Sequence, residues 1–234
     1  MGRVTVAGGN PGMKAPVTYK ANFADNTWAQ IIDACHKNKV PDTWVVGNSK
    51  TMLINGTEYQ IDIIGKSHDD YADGSGKAPL TFQMHDCYAD VNRMNSSNTN
   101  SGGWTSCAMR STHLPAILAL MPTEVQNGIR EVNKLTSAGS QSSTINTTAD
   151  KLFLLSEIEI FGSVSYSKSG EGTQYDYYKA GNSKVKNRNG GAAYWNERSP
   201  SKDGSTKFCM VSNTGTADYG GASSAAGVAF GFCF

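Results

Sequence analysis

Apolar residues recur at three- and four-residue steps at few places along the chain, and the first is Trp28, Ile31, Ile32 and Cys35. These four share one face of a helix that begins behind an Asp or Asn cap in Asp25-Asn26-Thr27 and is stopped by Pro41-Asp42-Thr43-Trp44. The period then falls to two. Thr51-Met52-Leu53-Ile54 and Glu58 to Gly65 read as strands on either side of Asn55-Gly56, a pair suited to a tight hairpin turn. Leu80-Thr81-Phe82-Gln83-Met84 predicts another strand, and the Asn, Ser and Thr crowded between Asn92 and Gly103 predict a loop. Ala116 to Met121 and Pro122 to Val132 predict two short helices. Asp150 to Gly162 is the most apolar stretch, and the Ser156-Glu157 break after Leu155 predicts a buried strand, central to the core, that turns into a second element. In the last forty residues, Trp195 to Pro200, Phe208 to Ser212 and Gly227 to Phe234 place aromatic and β-branched residues as half-buried strands do. No internal repeat at a fixed period is present.

Composition adds limits. The 25 glycines, with many Ser, Asn and Thr, predict long irregular loops, while 38% hydrophobic against 18% charged residues in a chain of 234 supports a real core. Residues 1–22 read as a linker or N-terminal extension, or the cut edge of a longer polypeptide, and 23–234 as one domain. A net charge of +1 gives no field to attract nucleic acid or an anionic membrane, and runs as short as Leu152-Phe153-Leu154-Leu155 do not span a bilayer. No basic-then-apolar signal region opens the chain, which leaves an extracellular or virion setting open. The five cysteines form no CxxC pair, against a zinc ribbon or a redox motif. Cys209 and Cys233 lie in segments that would suit neighbouring strands, and a buried thiol is favoured over a bridge for both.

Two groups of residues hold conceivable chemistry. His68-Asp69-Asp70-Tyr71-Ala72-Asp73-Gly74 with His85-Asp86-Cys87 offers metal-ligand types, yet the spacing fits no standard loop, and a polar turn with a satisfied histidine is the plainer reading. Ser111, His113 and Asp150, or Cys107 with His113, could be imagined as a nucleophile set, but no GxSxG elbow or phosphate loop supports them. No cofactor is implied. Tyr175, Tyr177 and Tyr178 either stack on a ligand or fill a core, and Trp195 is better read as core. The polar positions Asn182, Lys184, Lys186, Asn187 and Asn189 read as a solvated loop or as ligand contacts. Asn196, Glu197, Asn213, Thr216, Asp218, Tyr219, Ser223 and Ser224, with Tyr194 ahead of them, interrupt the terminal frame and are candidate ligand-binding positions.

Trp195-x-x-Arg198-Ser199-Pro200, Phe208-x-x-Val211-Ser212, Gly215 and Gly227-Val228-x-Phe230 resemble the carboxy-terminal half of C-type-lectin-like domains of the formylglycine-generating-enzyme subtype. Trp28-Ala29-Gln30-Ile31, Trp104-x-x-Cys107-x-Met109-Arg110 and Asp150-Lys151-Leu152-Phe153-Leu154-Leu155-Ser156-x-x-Glu159 resemble an uncharacterised family of gut bacterial and phage surface proteins, and the terminal region is similar to the variable region of diversity-generating retroelement proteins. Cys209 and Cys233 do not reproduce the oxidase's catalytic arrangement, and the carboxylate and amide motif of calcium-dependent lectins is missing. The resemblance implies an α+β, C-type-lectin-like fold with two or more short helices, a small antiparallel sheet and long irregular loops. It implies a non-enzymatic recognition domain, with its binding surface at about 175–234, in a phage receptor-binding or tail protein or a prophage-encoded bacterial surface protein. The implied partner is a cell-surface protein or glycan. A homo-oligomer is compatible with it, a trimer in a phage fibre, although no heptad points to one. The competing readings are a metal-dependent enzyme using His68 to His113 and a structural virion domain without a ligand.

Overall fold

The computed structural model describes residues 17–234, so residues 1–16 of the expected linker lie outside the described residues. From Val17 the chain lies against the first elements: the Tyr19 hydroxyl donates to Asp33, and Trp44 Nε1 donates to the Lys20 carbonyl. A short 3₁₀ turn, Phe23–Asp25, leads into α1 (Trp28–His36), whose cap differs from the expected Asp or Asn. Thr27 accepts from the Gln30 amide while Gln30 reaches back to Thr27, a reciprocal capping box. Asn26 is buried instead, bonded to Lys20, Asn22 and Phe23, and so is occupied in shaping the turn upstream.

The hairpin about Asn55-Gly56 joins β1 (Ser49–Ile54) to β2 (Thr57–Lys66), both central residues having positive φ as a two-residue turn requires. After β3 (Leu80–Met84) the expected loop carries only the two-residue β4 (Asn92–Arg93). Then come α2 (Gly103–Ser106), a π turn at Met109–His113, α3 (Leu114–Leu118) and α4 (Thr123–Gly128). The second expected helix thus stops four residues short of Val132, because Ile129 turns extended and Val132 opens a hairpin of β5 (Val132–Ser137) and β6 (Ile145–Asp150). The apolar stretch that follows splits as expected into β7 (Leu152–Phe153) and α5 (Glu157–Phe161), with Ser156 and Glu159 forming a second capping box at the break. The remainder is α6 (Asp176–Lys179), β8 (Lys186–Arg188), β9 (Gly191–Ala193), β10 (Trp195–Pro200), β11 (Lys207–Val211), β12 (Ala217–Gly221), β13 (Ala225–Ala226) and β14 (Gly231–Cys233).

The architecture is α+β, with short helices and several small antiparallel sheets. The largest sheet has the order β1-β2-β3-β14-β7, so the end of the chain is inserted between β3 and β7. Phe82 on β3 stacks on Phe232 of β14 with ring centroids 5.3 Å apart, and Phe23, Trp28 and Phe234 pack around it. Gly231 permits the insertion: a Cβ there would stand 2.8 Å from the Phe153 ring and 2.9 Å from the Phe82 carbonyl. A second sheet, β10-β11-β12, carries Trp195 fully buried, its indole donating to the Lys184 carbonyl. Cys209 on β11 and Cys233 on β14 therefore belong to different sheets and not to neighbouring strands, and all five cysteines are free and buried. Among the described residues no helix is long and apolar enough to cross a membrane.

The reciprocal cap at the start of α1 gives a direct test. Thr27→Ala is expected to cost about 1 kcal/mol in chemical denaturation, whereas Asp25→Ala should stay within about 0.5 kcal/mol. Equal losses from both would return the cap to Asp25.

Candidate functional site

Four charged side chains meet at the centre of the molecule. Lys134 on β5 is 2.7 Å from Asp69 and 3.0 Å from Glu159, and Arg198 on β10 forks onto both oxygens of Glu159. Tyr175 receives a bond from Lys134 at 2.9 Å and its hydroxyl lies within donating distance of both Asp69 oxygens, while the Thr81 hydroxyl donates at 2.6 Å to Asp69 Oδ2, the oxygen that Lys134 does not bond. Arg198 spends its remaining donors on the carbonyls of Leu135, Leu154 and Glu171. Burial alone would raise the Asp69 carboxyl, but the charge and hydrogen bond of Lys134 outweigh it and hold it at about 2. Glu159 is lowered in the same way, burial being overcome first by Arg198 and then by Lys134. Two cations and two anions thus neutralise each other in the interior, each with its hydrogen bonds met.

This centre takes several expected ligand contacts out of the surface. Tyr175 and Tyr178 are buried, Tyr178 donating to Gln83 on β3, so the aromatic patch belongs largely to the core. Lys186 is buried at the base of the β8–β9 hairpin, where it donates to the Met84 and His85 carbonyls, and burial lowers its ammonium to about 8. Asn196 is buried and donates to the Asn92 carbonyl. Glu197 is fully buried with neither carboxyl oxygen partnered among the described residues, and burial, with Glu157 and Glu171 nearby, raises it well above the usual carboxylate range. Asn196 and Glu197 share one physical reason: all six residues of β10 are covered, with β11 paired to the strand and α2, β5 and α5 packed against it.

The other candidates divide into separate places. Tyr177, Asn182 and Lys184 lie at and beyond α6, where Asn182 donates to the Tyr177 carbonyl and the Lys184 ammonium stands over the Phe161 ring. Thr216 is drawn into the turn after β11 by a 2.7 Å bond with Ser212, and Asp218 accepts from the Tyr219 amide. Tyr219 lies opposite Cys209 on β12, against Tyr166 and beneath Lys207. Ser223 and Ser224 sit on the turn between β12 and β13.

Asn187, Asn189, Tyr194 and Asn213 are exposed and come together around one shallow furrow. Its middle, about 500 Å³, is lined by Val91, Arg188, Tyr194, Met210 and Asn213 with small residues of β9 and β13. Arg188 also lines the next depression, about 370 Å³, with Tyr59, Asp86, Asn187 and Asn189, while Val91 borders a third, about 470 Å³, containing Asp90 and His113. The turn at Asn189-Gly190 has both residues at positive φ, which fixes the hairpin tip. Cys87 donates to the Asn187 carbonyl, Arg188 to that of Ala89, and the Ala89 amide to the Tyr59 hydroxyl, so hairpin and loop form one rigid border. From the sequence, Tyr59 reads only as a strand residue and Asp86 and Cys87 only as metal-ligand types, and residues 88–91 carry no candidate role, although an apolar Val91 stranded among Asp90, Asn92 and Arg93 was a visible signal.

The metal and nucleophile candidates do not assemble. His68 stacks on Tyr175 with centroids 4.0 Å apart, while His85 pairs with Asp62 at 2.7 Å, that hydrogen bond raising its pKa. Among the described residues no three His, Cys, Asp or Glu side chains are grouped to hold a metal ion. Asp150 is committed to Trp104, Arg110 and Thr148, and the Ser111 hydroxyl donates to the Cys107 carbonyl, so neither engages His113.

Two variants test the interior. Arg198→Met leaves Glu159 with one cation, and is expected to cost about 3–5 kcal/mol in denaturant unfolding. Glu197→Gln is expected to stabilise by about 1–3 kcal/mol at neutral pH. With its folded pKa raised, the Glu197 contribution is intact below the unfolded value and is lost as pH rises above it, so the gain should fade below pH ~4. A gain that persists unchanged into acid would refute a protonated Glu197.

No curated protein and no solved structure matches the chain. Residues 80–233, from the start of β3 to the end of β14, match the family described as "Domain of unknown function (DUF6273)", and with most of its length inside that match the chain belongs to this family.

Proposed function

We propose that this is a non-enzymatic recognition domain, built on a C-type-lectin-like scaffold and carried by a phage receptor-binding or tail protein or by a prophage-encoded surface protein. Its partner is a cell-surface protein or a glycan, and its exchangeable positions belong to a diversity-generating retroelement variable region. The observation that supports this reading most is the division of the polar terminal residues. Tyr175, Tyr178, Lys186 and Asn196 build the frame, whereas Asn187, Asn189, Tyr194 and Asn213 stand exposed on the rigid border of one furrow. A rigid border lowers the ordering cost of binding, and Asn and Tyr supply adaptable hydrogen bonds and stacking at little conformational cost, as in antibody paratopes.

Sequencing the encoding locus in related isolates tests it. Differences should concentrate at the exposed positions and leave Asp69, Lys134, Glu159 and Arg198 unchanged. Differences spread evenly over the surface would remove the retroelement reading, and furrow substitutions that leave cell binding unaltered would remove the recognition reading itself.

A further inference from the structure

We infer that the furrow takes a neutral oligosaccharide and not a protein epitope; the inference rests on the recognition reading above and narrows it to one ligand class. A protein partner is held by a dry apolar centre with large anchoring side chains inside a polar rim. The furrow has no such centre. Its exposed large apolar side chains, Val91, Leu120 and Tyr194, are spread over it, and the wall between Arg188 and Met210 is made of Ala192, Ala193, Ala225 and Gly227.

What the furrow does offer is a row of polar groups with unused capacity on a fixed backbone. Asp86 uses one oxygen to accept from the Asn187 amide and side chain, leaving its second oxygen without a partner among the described residues. Arg188 spends one nitrogen on the Ala89 carbonyl, and its others have no partner among the described residues. Asn189 and Asn213 are exposed, with no side-chain bond to another described residue. Carboxylates, planar amides and a guanidinium that alternate in this way match the paired donor and acceptor character of neighbouring sugar hydroxyls. Tyr194 and, beside Asp86, Tyr59 supply the flat apolar faces on which a pyranose ring can rest, and Tyr59 is itself held by stacking on Tyr88 at 5.4 Å.

Charge decides between sugar classes. Asp86 and Asp90 balance the Arg188 guanidinium and the Lys186 ammonium buried beneath Asp86, so the furrow has no excess positive charge with which to hold a sulfated or uronic acid chain and a neutral chain suits it better. The middle depression shares Arg188 with one neighbour and Val91 with the other, so the three follow in a row, which suits a chain of linked rings more than one compact ligand.

The test uses the full chain, fluorescently labelled, on intact cells of a panel of bacterial isolates, with portions of each treated by mild periodate or by protease. Binding is expected to fall at least tenfold after periodate, to survive protease, and to be competed by neutral but not by anionic polysaccharide released from the same cells. Tyr194→Ala and Asn213→Ala, both at exposed positions, should each weaken it about tenfold with no change in thermal unfolding. Binding that survives periodate and is abolished by protease would overturn the sugar inference and leave the recognition reading standing. Competition by the anionic fraction alone would overturn the choice of a neutral chain, and binding to no isolate would overturn both readings.

Discussion

The pairing of Lys134 and Arg198 with Asp69 and Glu159 is the constraint on which the rest of the structure depends. These residues come from the loop after β2, from β5, from α5 and from β10, elements that the sequence separates widely. A charge buried without its partner costs several kcal/mol, so each of the four is tolerable only when the others have arrived. The centre therefore selects one arrangement of the surrounding segments. Tyr175 and Thr81 complete the lone pairs of Asp69 and tie the approach to α6 and the start of β3 to the same point.

That concentration of order in the interior is what allows the outer surface to consist of turns. The β8–β9 hairpin needs few apolar contacts of its own, because Lys186 anchors its base through the Met84 and His85 carbonyls and Trp195 closes the strand that follows. Side chains at the hairpin tip can change without disturbing a hydrophobic layer. Those of β10 cannot, and Glu197 shows the cost, since it lies in a covered strand with no donor for either oxygen among the described residues.

Where polarity and burial coincided, the chain could be read directly. The face of Trp28, Ile31 and Cys35 and the Asn55-Gly56 turn follow from local pattern and are present, and β3 forms where expected, although its alternation does not mark a solvent face, since all five residues are buried, Thr81 and Gln83 included. Reading failed where polar residues point inward. The buried positions of β5 are Val132, Lys134, Thr136 and Ser137, so this strand has no hydrophobic period to find, and its hairpin with β6 left no signal. The same inversion made Lys186, Asn196 and Glu197 look like surface residues, because polarity in a sequence carries no record of the partner that a buried group will meet. The border of the furrow was half visible: Asn187, Asn189, Tyr194 and Asn213 stood out by composition, while Tyr59 and Asp86 joined them only through the folding of β2 and β3 beside the hairpin.

The five buried cysteines carry one more consequence. Burial pushes the thiols of Cys35 and Cys107 up to about 12 and that of Cys87 to about 11, and raises those of Cys209 and Cys233 well above the usual thiol range, so none presents a thiolate to an oxidant. Folding then waits on no oxidation step and the finished domain has none to lose. A chain that matures in a reducing compartment would pass into an oxidising one with its covalent structure unchanged.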